Sequence, residues 1–148
     1  MSNLIENTVR LVEEFNNEIV FDMSRKNLDD TGAASSSLRI ESDRKTIKSF
    51  GVFYLKYLDT GSGPWTRPEL YKKLGYILEL TGWAARNDIN PYAAAYSIAH
   101  NGNRIHKDPS KGIELTKKRE KLLEEIKKQA PAWVKDDLRI RLKQIKVN

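Results

Sequence analysis

Catalysis and metal binding need side chains that ionise, attack or ligate at workable spacings, and this chain offers few. It contains no cysteine, which removes disulfides, thiolate metal sites and cysteine nucleophiles, and two histidines, His100 and His106. These stand six residues apart across Gly102, and neither has an acid or a second histidine four positions away on a shared helical face, so no metal centre is expected. Ser35, Ser36 and Ser37 lie in a small-polar run without a G-x-S-x-G elbow, which gives serine hydrolysis no support. The glycines of GSGPW, residues 61–65, match neither G-x-x-x-x-G-K-[ST] nor G-x-G-x-x-G, so no nucleotide cofactor is expected. The adjacent carboxylates Asp29 and Asp30, Glu124 and Glu125, and Asp136 and Asp137 point apart on a helix and are expected to be solvated charges. The chain does not look like an enzyme.

What remains is charge. The chain has 148 residues, with 26 Lys and Arg against 20 Asp and Glu, a formal excess of +6. Residues 1–102 carry 12 basic and 13 acidic side chains, whereas residues 103–148 carry 14 and 7, so the last third alone holds about +7. The basic candidates are Lys111, Lys117, Lys118, Arg119, Lys121, Lys127 and Lys128, with Arg139, Arg141, Lys143 and Lys146 behind them. Such a cluster suits nucleic acid or an acidic protein face, and it also suits a solvated helix surface. The first ten residues, MSNLIENTVR, lack the basic and apolar regions of a secretory signal, and no run approaches the roughly 18 apolar residues of a membrane span. A soluble protein without a membrane partner is expected.

The elements that must position these groups follow from periodicity. Ile5, Val9, Val12, Phe15, Ile19 and Met23 recur at three- and four-residue steps and predict a helix over residues 3–25. Leu4, Leu11 and Val20 lie off that stripe and widen the apolar surface, which suits core packing alone or a second partner. Residues 27–37 read as a loop. Residues 38–52 read as a hairpin turning at 42–45, and residues 53–58 as a short helix. DTGSGPW, residues 59–65, is a structured loop. Thr66 and Glu69 have capping-box spacing with Pro68 in the first turn, which predicts a helix running to about residue 87, its Gly75 and Gly82 permitting close packing against a strand. Asn90 and Pro91 start a helix over residues 92–100 that closes near Gly102. A long charged pattern over 110–129 should stop at Pro131, and beyond it Leu138, Ile140 and Leu142 leave strand and helix in competition. The sum is one α+β domain: a small antiparallel sheet packed with several helices, a long N-terminal helix, a core over about 1–105 and a basic helical C-terminal extension over about 106–148.

Two stretches carry a family resemblance. Tyr54, Tyr57, Asp59, Gly61, Gly63 and Pro64 form a tyrosine-rich segment leading into a glycine-proline loop, and Trp83, Ile89, Pro91, Ala94, Ile98 and Gly102 follow in a second segment. Over residues 30–105 the chain resembles the head-to-tail joining and tail-completion proteins, the neck and connector subunits, of tailed double-stranded DNA bacteriophages. The resemblance implies a structural virion protein that forms a ring with copies of itself between portal and tail, assembled in the host cytoplasm, with neighbouring portal, neck or tail proteins as partners and weak contact with passing DNA. Copies in a ring meet through two different faces, and Tyr54, Tyr57, Gly61, Gly63, Pro64 and Trp65 are the interface candidates. The aromatic members could equally fill the protomer's own core. The alternative function is a basic nucleic-acid-binding module in the C-terminal third.

Overall fold

The apolar stripe of the first segment forms α1 (Asn3–Arg25), with Ser2 Oγ accepting the Ile5 N–H at 3.3 Å. A computed structural model describes residues 2–145, and in it α1 packs along the C-terminal helix (Leu115–Ile145) and against the short helix and hairpin of residues 33–50, while the helices of residues 71–101 pack on one another. Ile19 and Met23 join Ala34 and Ile113 at the centre of the core, against Phe15, Leu38, Val52, Tyr54 and Leu58. Leu11, off the predicted stripe, is buried as well. The second contact of α1 is the C-terminal helix of its own chain.

The segment expected as a loop contains a four-residue helix, α2 (Ala33–Ser36). Asp29 makes it possible by accepting the Ser35 N–H at 2.7 Å and the Ala34 N–H at 3.3 Å, which satisfies donors that a helix start leaves open. The serines stay on the backbone: Ser37 Oγ donates to the Ala34 carbonyl and accepts the Val52 N–H. The hairpin follows as β1 (Arg39–Ser42) antiparallel to β2 (Ile47–Phe50), with Ile40 opposite Ser49. Asp43 closes its turn by accepting two backbone N–H groups, and Ser49 Oγ donates to the buried Asn16 of α1 at 2.7 Å. The expected short helix is α3 (Leu55–Thr60), which takes in the first two residues of the expected loop.

The expected helix over 66–87 is divided. Glu69 accepts from Arg67 Nε at 3.0 Å instead of completing a capping box, so Pro68–Leu70 is a 3-10 turn and α4 starts later (Tyr71–Leu80). Gly82 adopts φ 70°, a left-handed conformation that stops α4, and α5 (Trp83–Arg86) begins again after it. Gly75 does permit close packing, but against the Tyr92 ring of a helix and not against a strand. That helix is α6 (Pro91–Asn101), capped by Asn90 Oδ1, which accepts the Tyr92 and Ala93 N–H groups at 3.0 and 3.1 Å. A short α7 (Arg104–Lys107) and a 3-10 turn lead to α8 (Leu115–Ile145).

α8 runs straight through Pro131, where the sequence predicts an end, and it keeps the final segment helical to Ile145. An interior proline costs about 3 kcal/mol by removing one N–H and crowding the preceding turn. Packing beyond it offsets that cost. Trp133 is buried, and Asp137 accepts the Asn3 and Leu4 N–H groups at 2.8 and 3.2 Å, capping α1 from 134 residues away. The acid pairs are therefore not simply solvated: Asp29 and Asp137 cap helices, and Asp30 pairs with Arg86. No helix among the described residues is long and apolar enough to cross a membrane.

Near the other end of the antiparallel α1–α8 pair, Asp22 meets Lys118, their side chains 10% and 12% exposed. Burial pushes the Asp22 carboxyl up, but Lys118, Arg25 and Lys26 outweigh it, so the group stays below its ordinary carboxylate range. A depressed carboxylate contributes stability above its unfolded pKa and loses it as pH falls through the folded value. Asp22→Asn, which leaves Lys118 nearly buried without its counter-charge, is expected to cost about 3 kcal/mol at about pH 7 in urea unfolding, a deficit that narrows as pH drops below about 4. A deficit independent of pH would show that the charge at Asp22 is not the cause.

Candidate functional site

The glycine-proline loop singled out by the sequence leaves α3 at Gly61, whose φ of 75° places it in the left-handed region. A side chain there would clash: an added Cβ would lie 2.3 Å from the His106 backbone nitrogen and 2.5 Å from Asn103 Oδ1. Asn103 organises the approach. Its Oδ1 accepts the Ser62 N–H at 3.1 Å and the His106 N–H at 3.0 Å, while its own N–H donates to the Ser62 carbonyl at 2.8 Å. Farther along, the Trp65 N–H donates to the Ala99 carbonyl at 2.8 Å. Gly63 packs on the His106 ring.

A second seam joins α3 to the start of α8. The Ile113 N–H donates to the Leu58 carbonyl at 2.9 Å, and Asp59 Oδ1 accepts the Leu115 N–H at 2.7 Å, capping α8. Gly112 admits this contact because any Cβ would lie 2.6 Å from both the Leu58 and Asp59 carbonyl oxygens. The close backbone approach that these glycines permit is thus made within one chain, between residues 58–65 and 99–115. The two motif segments, separate in sequence, become one hydrogen-bonded unit.

The interface candidates divide accordingly. Tyr54 is half-buried against the core cluster, whereas Tyr57 is 45% exposed, Pro64 is exposed and Trp65 is half-buried. Phe53, not singled out by the sequence, is 82% exposed and meets Tyr54 edge to face. A further apolar surface lies on the α4–α6 pair. Tyr76, Ile77, Leu80 and Tyr96 are more than a third exposed, and Tyr96 stacks on His100 at 4.0 Å between ring centroids, with Tyr71 edge-on at 5.2 Å. The four-residue step from Tyr96 to His100 was the available signal.

The basic candidates also split. Lys117 pairs with Glu114, Lys118 with Asp22 and Lys121 with Glu18, which ties these three to carboxylates of their own chain. The Glu18 carboxylate beside Lys121 holds that ammonium above its ordinary range. Arg139 faces Asp136 at 3.7 Å. Lys111, Arg119, Lys127, Lys128, Arg141 and Lys143 are exposed and, among the described residues, form no ion pair; Lys146 lies outside the described residues.

One broad cleft, of about 800 Å³, opens between residues 27–30 and α5, α6 and α7, over Leu28, Trp83, Ile98 and Ile105. Its rim is polar, and its carboxylates and arginines serve each other or the backbone. Asp30 accepts from Arg86 Nε at 2.7 Å and from Asn87 at 3.2 Å, Arg104 donates to the Lys26 carbonyl at 2.7 Å, and Asp29 caps α2. Burial pushes the Asp29 carboxyl up, but its bonds to Ser35, Ala34 and Gly32 prevail and hold it down. No group of three or more His, Cys, Asp or Glu suited to a metal ion occurs among the described residues. Chemically, the arrangement can hold backbones together and present apolar and cationic surface.

No protein-family model, curated protein or solved structure matches this chain. The loop geometry generates its own test. Asn103→Ala removes the acceptor for two backbone N–H groups and is expected to cost about 1–3 kcal/mol. In hydrogen exchange, the Ser62 and His106 amides should lose protection before the α1 amides do; uniform loss would deny Asn103 a local role.

Proposed function

We propose that this protein is a non-enzymatic structural subunit of a tailed double-stranded DNA phage, a ring-forming connector or tail-completion protein joining portal or neck to tail in the virion. The observation that carries the reading is that the end of the second resemblance segment packs on the first, Gly102 lying against the Ser62 carbonyl and the adjoining Asn103 accepting the Ser62 N–H. Matches scattered by chance would have no reason to form one packed unit, whereas a working motif would.

Exposed apolar surface supports the same reading. A closed ring needs two different faces on each copy. The α4–α6 pair exposes Leu80 and Tyr96, and the segment entering and forming α3 exposes Phe53 and Tyr57, on separate elements. Large apolar groups exposed in numbers mark surfaces that partners cover. In the broad cleft the carboxylates Asp29 and Asp30 are engaged in capping and pairing, which favours a building block over a site of turnover.

Nucleic acid binding draws on fewer free cations than the sequence count suggests, because Lys117, Lys118 and Lys121 already have carboxylate partners. Contact with passing DNA would then be weak and strongly reduced by salt.

Native mass spectrometry and electron microscopy of the full chain, alone and with portal or tail partners, should give closed rings of fixed subunit number. Tyr96→Asp combined with Leu80→Asp, both at exposed positions, should abolish the rings while circular dichroism stays unchanged. A chain that remains monomeric with every such partner overturns the proposal.

A further inference from the structure

The second half of α8 presents a stripe of Ala130, Pro131, Val134, Leu138 and Leu142, with Lys127, Lys135 and Arg139 along it. The three- and four-residue steps place these apolar groups on one face. Val134, Leu138 and Leu142 are 41%, 55% and 58% exposed, while Trp133 is buried and Asp137 reaches the start of α1. The stripe is therefore a face that α1 leaves uncovered. Beyond Asp137 the helix continues past the first residue of α1.

The charges beside the stripe are one-sided. Residues 127–143 carry Lys127, Lys128, Lys135, Arg139, Arg141 and Lys143 against Asp136 and Asp137. Asp137 is bound to the α1 N–H groups and Asp136 faces Arg139. Lys127, Lys128 and Lys135 are exposed and have no ion-pair partner among the described residues.

We infer that this stripe is the docking site for an amphipathic helix of another protein that carries Glu or Asp along the edges of its apolar face. Leucines at i and i+4 make the anchor pattern of helix-against-helix recognition, and the flanking cations select acidic edges. A second copy using the same stripe would bring Lys135 and Arg139 against their equivalents, a like-charge arrangement that opposes pairing. Duplex DNA would meet the cations but leave Leu138 and Leu142 wet, and the stripe lacks the aromatic anchors of membrane-surface helices. This inference deepens the connector reading by giving one partner its chemistry, and it is tested apart from ring formation.

The probe is a fluorescein-labelled synthetic helix with leucines at three- and four-residue steps and glutamates along their edges, titrated into the full chain by anisotropy. Its twin carries lysine at every glutamate. The glutamate peptide should bind and the twin should not. Leu138→Ser with Leu142→Ser should weaken binding at least about tenfold, and Lys135→Glu with Arg139→Glu should reverse the preference between the peptides. The inference is overturned if the glutamate peptide fails to bind, if these variants leave its binding unchanged, or if phosphatidylserine vesicles or a DNA duplex compete it off the stripe. It is overturned equally if sedimentation shows a self-association that Leu138→Ser with Leu142→Ser abolishes. Rings without peptide binding refute this inference alone, and peptide binding without rings refutes the connector reading alone.

Discussion

The antiparallel union of α1 with α8 ties the two ends of the chain together, and at one end of it the nearly buried Asp22 pairs with Lys118. Lys118 does more than neutralise the carboxylate. Its ammonium also donates to the Ile113 carbonyl at 2.7 Å, and Lys26 donates to the Gly112 carbonyl at 2.6 Å. The turn that starts α8 is thereby held against the end of α1, with Ile113 fully buried beneath it. Removing water from two charges is costly, and those extra acceptors make the arrangement tolerable. From that turn the Leu58 and Asp59 contacts reach α3, and α3 carries the glycine loop to α6.

The two long helices draw capping groups from distant parts of the chain. Asp59 caps α8 and Asp137, on α8, caps α1, so each long helix takes its first acceptor from a different element. Hydrogen bonds of this kind fix orientation more sharply than apolar packing does, because the carboxylate must meet N–H groups along their own direction. The glycines at 61 and 112 act in the same sense. They admit backbone contacts that any side chain would block, and the loop is positioned by main-chain geometry.

Much of this was legible in the sequence, for identifiable reasons. The spacing from Ile5 to Met23 marked α1, the alternation at Leu38 and Ile40 marked the hairpin, and Asn90-Pro91 marked the start of α6. Those signals are local. Pro131 misled because the packing that carries α8 past it, at Trp133 and Asp137, involves a helix more than a hundred residues away. Gly82 ended a helix that its apolar spacing would have continued, and the Thr66–Glu69 spacing lost its capping role to Arg67. At the candidate site, the glycine loop was found but its docking partner was not, since nothing near Asn103 announces three bonds to distant or neighbouring backbone. The cations counted together in the sequence divide in space because Asp22 and Glu18 come from the opposite end of the chain.

The long sequence separation between α1 and α8 also bears on synthesis. Glu18 meets Lys121 across 103 positions, and Asn3 meets Asp137 across 134. A ribosome adding about 5–20 residues per second must work for on the order of ten seconds after making α1 before its covering helix exists. During that interval Leu11 and its neighbours are open to chaperones or to wrong partners. α1 is therefore translated well before the helix that covers it.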